Sequence, residues 1–114
     1  GEVAQANIGS ARMLADLLPL YICTPRRDLV ESYAYNDAYC LTAKDGRYAV
    51  YFPDGGQVWL KVDDSNARKF KLQWLDIRRS VWHDPVDALP VDQNVLELST
   101  PEPEGYFCVV VTPE

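Results

Sequence analysis

Tyr48-Ala49-Val50-Tyr51-Phe52, then Pro53-Asp54-Gly55-Gly56, then Gln57-Val58-Trp59-Leu60-Lys61-Val62: the fold turns on how this run is read. Both flanks are rich in β-branched and aromatic side chains, which suit a pleated surface. In the second flank Val58, Leu60 and Val62 share one face, while Gln57, Trp59 and Lys61 share the other. That period of two marks a strand with one buried side. Between the flanks, proline fixes φ, aspartate bonds its own backbone, and two glycines tolerate positive φ. The run therefore predicts a β-hairpin.

Working outward, Ala38 to Ala43 reads as a strand, and Lys44-Asp45-Gly46 turns it antiparallel onto the first flank. Tyr33-Ala34-Tyr35 reads as a shorter strand before it. Downstream, Asp63-Asp64-Ser65-Asn66 is a turn cluster. Phe70 to Asp76 is a strand with Phe70, Leu72 and Trp74 on one face, and Ser80 to His83 is its return arm. Asp84 to Pro90 is expected to be a loop, since its two prolines argue against a central strand. Asn94 to Leu98 and Tyr106 to Thr112 are the last strands. Phe107 to Val111 is apolar on both faces, as a central strand covered on both sides should be.

Seven or eight short strands at even spacing predict an all-β fold, an antiparallel β-sandwich with one short N-terminal helix. That helix is expected over residues 7–18, where Ile8, Ala11, Leu14, Ala15 and Leu18 recur at steps of three and four. Asn7 or Ser10 would cap it, and Pro19 would end it. So short a helix is marginal alone, and its apolar face needs the sheet or another domain to lie on. The chain divides into a helix and connector (1–32) and a β-sandwich domain (33–114).

The 114 residues suffice for one domain, and 47% apolar with 25% charged residues is an ordinary globular composition. The formal net charge of −6 and scattered basic pairs argue against nucleic-acid binding. No apolar run is long enough to span a bilayer. Three cysteines do not make a complete disulfide framework. Cys40 with Cys108 is the one pair considered, and three small buried thiols is the other reading. Gly1 in place of methionine reads as the start of a processed or cut chain.

Little in the sequence points to catalysis. His83 is the lone histidine, so a multi-histidine metal site is excluded, and no Cys-x-x-Cys spacing replaces it. Asp45, Asp54, Asp63, Asp64, Asp84, Asp87 and Asp92 all fall in expected turns, where aspartate is favoured for its bonds to local backbone. A calcium loop drawn from Asp84 to Asp92 would match no EF-hand spacing. No catalytic residue, metal site or cofactor is assigned. The aromatic residues carry the functional expectation, because sugar rings and peptide chains both pack on rings with an apolar body and a polar tip. Trp59, Trp82, Tyr33 and Tyr35 are the candidate ligand-binding residues, and for the two tryptophans a structural role stands beside that one. Trp74, alternating with Phe70 and Leu72, is expected in the core.

The run from Tyr39-Cys40-Leu41 through Tyr48 to Gly56 and on to Val58-Trp59-Leu60, with Trp74-Leu75-Asp76-Ile77-Arg78 and the strand Gly105 to Val111, resembles a family labelled collagen-binding domain. Members are C-terminal β-sandwiches that follow (β/α)8 barrels like those of glycoside hydrolases. Ile77 departs from the proline usual in that family, and the glycine that closes the following turn is missing, so that turn is expected to differ. The resemblance implies a non-catalytic accessory domain of a glycoside-hydrolase-like protein, packing on or extending a barrel of the same parent chain, in the periplasm or outside the cell. The alternative is an autonomous module that binds carbohydrate or a collagen-like peptide. An independent enzyme ranks last.

Overall fold

A computed structural model describes residues 2–19, 23–32, 37–62, 65–92 and 94–114. The elements are α1 (Glu2–Leu17), β1 (Thr24–Pro25), a 3-10 turn (Arg27–Leu29), β2 (Val30–Ser32), β3 (Tyr39–Thr42), β4 (Tyr48–Phe52) and β5 (Gln57–Lys61). They continue with β6 (Phe70–Asp76), β7 (Val81–Trp82), β8 (Val86–Ala88), β9 (Val95–Ser99) and β10 (Phe107–Pro113). One antiparallel sheet runs β1-β3-β4-β10-β6-β7, with β8 also on β6, and a second runs β2-β5-β9. The expected all-β sandwich with one helix is what forms, though with ten strands among the described residues where seven or eight were expected. The Tyr33 to Tyr35 strand lies outside the described residues.

The expected hairpin does not form. β4 pairs with β3 and β10, whereas β5 pairs with β2 and β9. The Pro53–Gly56 connection is instead an arch from one sheet to the other. β4 already has a partner on each edge, so no edge is left for β5. Its residues point into the core instead: Tyr48, Val50 and Phe52 from one sheet meet Val58, Leu60 and Val62 from the other. Gly55 takes φ +71° in the arch, and a Cβ there would stand 2.6 Å from the Pro103 carbonyl oxygen. Only glycine fits both constraints.

The core between the sheets also takes Phe70, Leu72 and Trp74 from β6, Leu96 and Leu98 from β9, and Phe107, Val109 and Val111 from β10. β10 is central, between β4 and β6, and its residues from Phe107 to Val111 are buried on both faces. The β3–β4 hairpin forms as its Asp-Gly turn predicts, with Gly46 at φ +92°. The segment 84–90 is not wholly loop, since β8 pairs with the first half of β6. Pro85 and Pro90 flank the strand, and β8 lies at the margin, where a missing donor is tolerated.

A second cluster lies on the other face of the larger sheet, under α1. Leu14 and Leu18 are buried there with Ala49, Leu75, Ile77, Cys108 and Val110. The sheet itself, then, covers Leu14 and Leu18 of the helix's apolar stripe, while Ala11 and Ala15 stay exposed. α1 starts earlier than its periodicity predicts, so Asn7 and Ser10 fall inside it rather than at its cap. It stops at Leu17, two residues before Pro19, because the residue preceding a proline is pushed out of helical geometry. Arg47 fastens that end, donating from Nη1 to the Leu17 carbonyl at 2.6 Å.

Asp76 is the one buried charged side chain among the described residues. It organises the turn after β6, accepting from the Arg79 backbone N–H at 3.1 Å and from Arg79 Nη1 at 2.7 Å. The turn ends on Ser80 at φ +54°.

Candidate functional site

Trp59 is the middle residue of β5, itself the middle strand of the smaller sheet. Alternation turns Val58 and Leu60 inward and leaves Trp59 half-buried on the outer face. Its register neighbours are Glu31 on β2 and Glu97 on β9. Strands sit about 4.8 Å apart, so a carboxylate flanks the indole on each side. Along β5, Gln57 and Lys61 share its face. Lys61 pairs with Glu31 at 3.0 Å, and the Gln57 amide donates to Glu97.

Beside Trp59 is a shallow cleft of about 290 Å³, lined by Glu31, Trp59, Lys61, Val91, Asp92 and Val95. Its wall is formed by Val91 and Asp92, which precede β9, and by Val95 at the start of that strand. Val91 N–H donates to the Val95 carbonyl at 2.7 Å, and Val95 N–H returns the bond at 3.3 Å. Asp92 stands at the bend with φ +46°, a left-handed conformation that aspartate tolerates better than most residues.

Trp82 lies elsewhere. It pairs with Leu75 across β7 and β6 and packs, half-buried, into the cluster under α1. Trp59 therefore faces outward from the smaller sheet, Trp82 from the opposite side of the larger one, and the two do not form one strip. Tyr33 and Tyr35 lie outside the described residues. Trp74 is in the core as expected, tilted against Phe52 at 5.4 Å and edge-on to Phe107 at 6.4 Å. His83 is half-buried with its ring edge-on to Phe107 at 6.3 Å.

Sequence reasoning overlooked a second aromatic group. Register aligns Tyr39, Tyr51, Cys108, Leu75 and Trp82 in one row across the helix-bearing face of the larger sheet. The Tyr39 and Tyr51 rings stack at 5.0 Å and 7°. Burial, with Tyr106 beside it, pushes the Tyr39 phenol up to about 12, and burial pushes Tyr51 up too, with Cys108 as its neighbour. The alternation in Tyr39-Cys40-Leu41 hinted at the face. Which tyrosines would stack depended on a pairing register that sequence does not show.

All three cysteines are free; Cys40 and Cys108 are buried, whereas Cys23 is only half-buried, so the reading of three buried thiols holds for two of them. Cys40 points into the inter-sheet core and Cys108 to the helix side, so the sheet itself separates the two thiols. Burial raises the Cys40 thiol to about 12 and raises Cys108 as well, which keeps both protonated and unreactive. Among the described residues, no group of three or more His, Cys, Asp or Glu side chains is placed to hold a metal ion. Another cleft, about 420 Å³ at the β3–β4 turn, is lined by Arg26, Lys44, Asp45, Arg47 and their neighbours. Arg26 bonds Asp28 at 2.9 Å and Arg47 bonds Asp45 at 2.8 Å, so these guanidinium groups already hold carboxylates.

No family model matches the sequence, and no curated protein does. Solved structures do match. One is described as a glycoside hydrolase, with TM-score 0.71 and 12% identity over 92% of this chain. Another is a glycoside hydrolase family 5 protein from Bacteroides vulgatus, with TM-score 0.73 and 12% identity over 94% of this chain. At that identity the likeness is one of fold. In both cases the chain spans about a quarter of the neighbour's length, 24%.

Proposed function

We propose that this chain is a non-catalytic accessory β-sandwich of a glycoside-hydrolase-like protein, packing on or extending a (β/α)8 catalytic barrel of the same parent polypeptide. One observation carries the reading: nearly the whole chain superposes on glycoside hydrolases while spanning 24% of their length. The carboxylates support it. Glycosidic hydrolysis needs two carboxyl groups facing each other across a cleft, one of them with its pKa raised. The buried carboxylate described here, Asp76, is tied to a turn and to Arg79. Val81, Val86 and Leu89 leave apolar surface exposed on and beside β7 and β8, area that a neighbouring domain could bury. A periplasmic or extracellular location goes with this reading and rests on the sequence resemblance.

The test has two parts. The coding sequence on either side of this segment is read and the mass of the native polypeptide measured; a barrel joined in frame is expected. The barrel is then produced with and without the segment. Loss of the segment should lower the melting temperature, and the isolated segment should release no reducing sugar from glucan, mannan or xylan. A native protein ending at these 114 residues, or hydrolysis by the segment alone, would refute the proposal.

A further inference from the structure

We infer that the cleft beside Trp59 is a binding subsite for one ring of a neutral hexose or pentose polymer. Its form and its charge both argue for this. Small-molecule clefts run from about 300 to 1,000 Å³, so 290 Å³ suits a single ring of a longer chain. Trp59 supplies an aromatic surface, which packs against the C–H face of a pyranose as it would against other apolar groups. Glu31, Asp92 and Lys61 supply two acceptors and one donor group, the mixture that sugar hydroxyls, each donor and acceptor, can satisfy.

The same charges exclude acidic sugars. Two carboxylates against one ammonium line the cleft, Glu97 adds a third carboxylate on the same face, and the chain carries a net −6. A uronate or sulfated sugar would be repelled. Lys61 and Glu31 pair at 3.0 Å, and two main-chain bonds join Val91 to Val95.

This inference goes beyond the accessory role and can fail without it, because a domain that merely braces a barrel needs no sugar site. The experiment is calorimetric titration of the isolated chain with cellopentaose, mannopentaose, xylopentaose and pentagalacturonate, with a collagen-like Pro-Pro-Gly repeat peptide as a further arm. At least one neutral pentasaccharide should bind saturably. Trp59→Ala should weaken it by about tenfold or more, and Trp59→Phe by less than about threefold. Tyr39→Ala, on the opposite side of the molecule, should leave it unchanged. Circular dichroism checks each variant. If Trp59→Ala is unfolded, Lys61→Met and Glu31→Gln take its place and should each weaken binding. The inference is overturned if no neutral sugar binds the folded wild-type chain at about 10 mM. It is equally overturned if binding survives loss of the indole or of both charged groups, if pentagalacturonate binds better, or if the peptide alone binds.

Discussion

Leu14→Ala should unfold sheet and helix together. Leu14 is 2% exposed and packs with Leu18, Leu75 and Cys108 between α1 and the larger sheet. Alanine is the better helix former, so local propensity moves a few tenths of a kcal/mol towards stability. The whole loss then comes from packing. Truncating a buried leucine costs about 2–5 kcal/mol, depending on how far the site can collapse. Met13 and Leu17 border this site and are only partly buried, so they can shift inward. That places the expected cost at about 2–3 kcal/mol. In a domain of this size the loss corresponds to roughly 10 °C in melting temperature. Urea unfolding followed by both far-ultraviolet dichroism and tryptophan fluorescence makes the measurement, with the exposed Ala11→Ser as control. Trp74 reports on the core between the sheets and Trp82 on the helix side. Coincident transitions shifted by the expected amount mean that helix and sandwich form one cooperative unit. A loss below about 0.5 kcal/mol, or a helix signal that melts ahead of an unshifted fluorescence transition, would refute the packing argument.

Gly55→Ala should cost about 1–3 kcal/mol, because alanine is strained at φ +71° and its Cβ meets the Pro103 carbonyl; a denaturation midpoint equal to wild type would count against the arch geometry. With a thiol reagent at neutral pH, the native chain should show Cys23 reacting first and Cys40 and Cys108 protected, with all three reacting in denaturant. Rapid labelling of Cys108 in the native state would contradict its burial. Folding raises the thiol of Cys40 from 9.0 to about 12, so the unfolded chain releases its proton first. The stabilisation is complete below pH 9 and is lost as pH rises towards 12. Cys40→Ala should flatten that alkaline decline in the urea midpoint, and an unchanged slope would rule the cysteine out as its source.

Sequence patterning revealed the strands far better than their partners. In β5, β6, β9 and β10 the alternation or continuity of apolar residues specified which side chains are buried, and Trp74 and Val109 are where that rule puts them. The run Tyr48 to Val62 misled because a hairpin and an arch share the same local chemistry: two strands joined by proline, aspartate and glycine. What decides between them is β10, much later in the chain, which takes the free edge of β4. For the same reason the cleft was only half visible. Trp59 stood out by alternation, while Glu31 in the cleft and Glu97 on the other flank of the indole come beside Trp59 through pairings with distant segments. Trp82 stood out just as clearly, yet it follows the larger sheet to the other side of the molecule. The two cysteines differ in facing because Cys40 on β3 and Cys108 on β10, with β4 between them, stand one register row apart, a distinction that counting thiols does not make.

The place of β10 bears on how such a chain can be made. It is the last of the described strands in chain order, and it forms the middle of the larger sheet. Until it emerges, β4 and β6 have no bridge between them, and the surfaces meant for both core layers stay open to water and to chaperones. Synthesis of this domain is therefore closer to a lock that shuts on its final pin than to a stepwise assembly. Truncation ahead of β10 would leave an open, adhesive sheet rather than a slightly smaller domain.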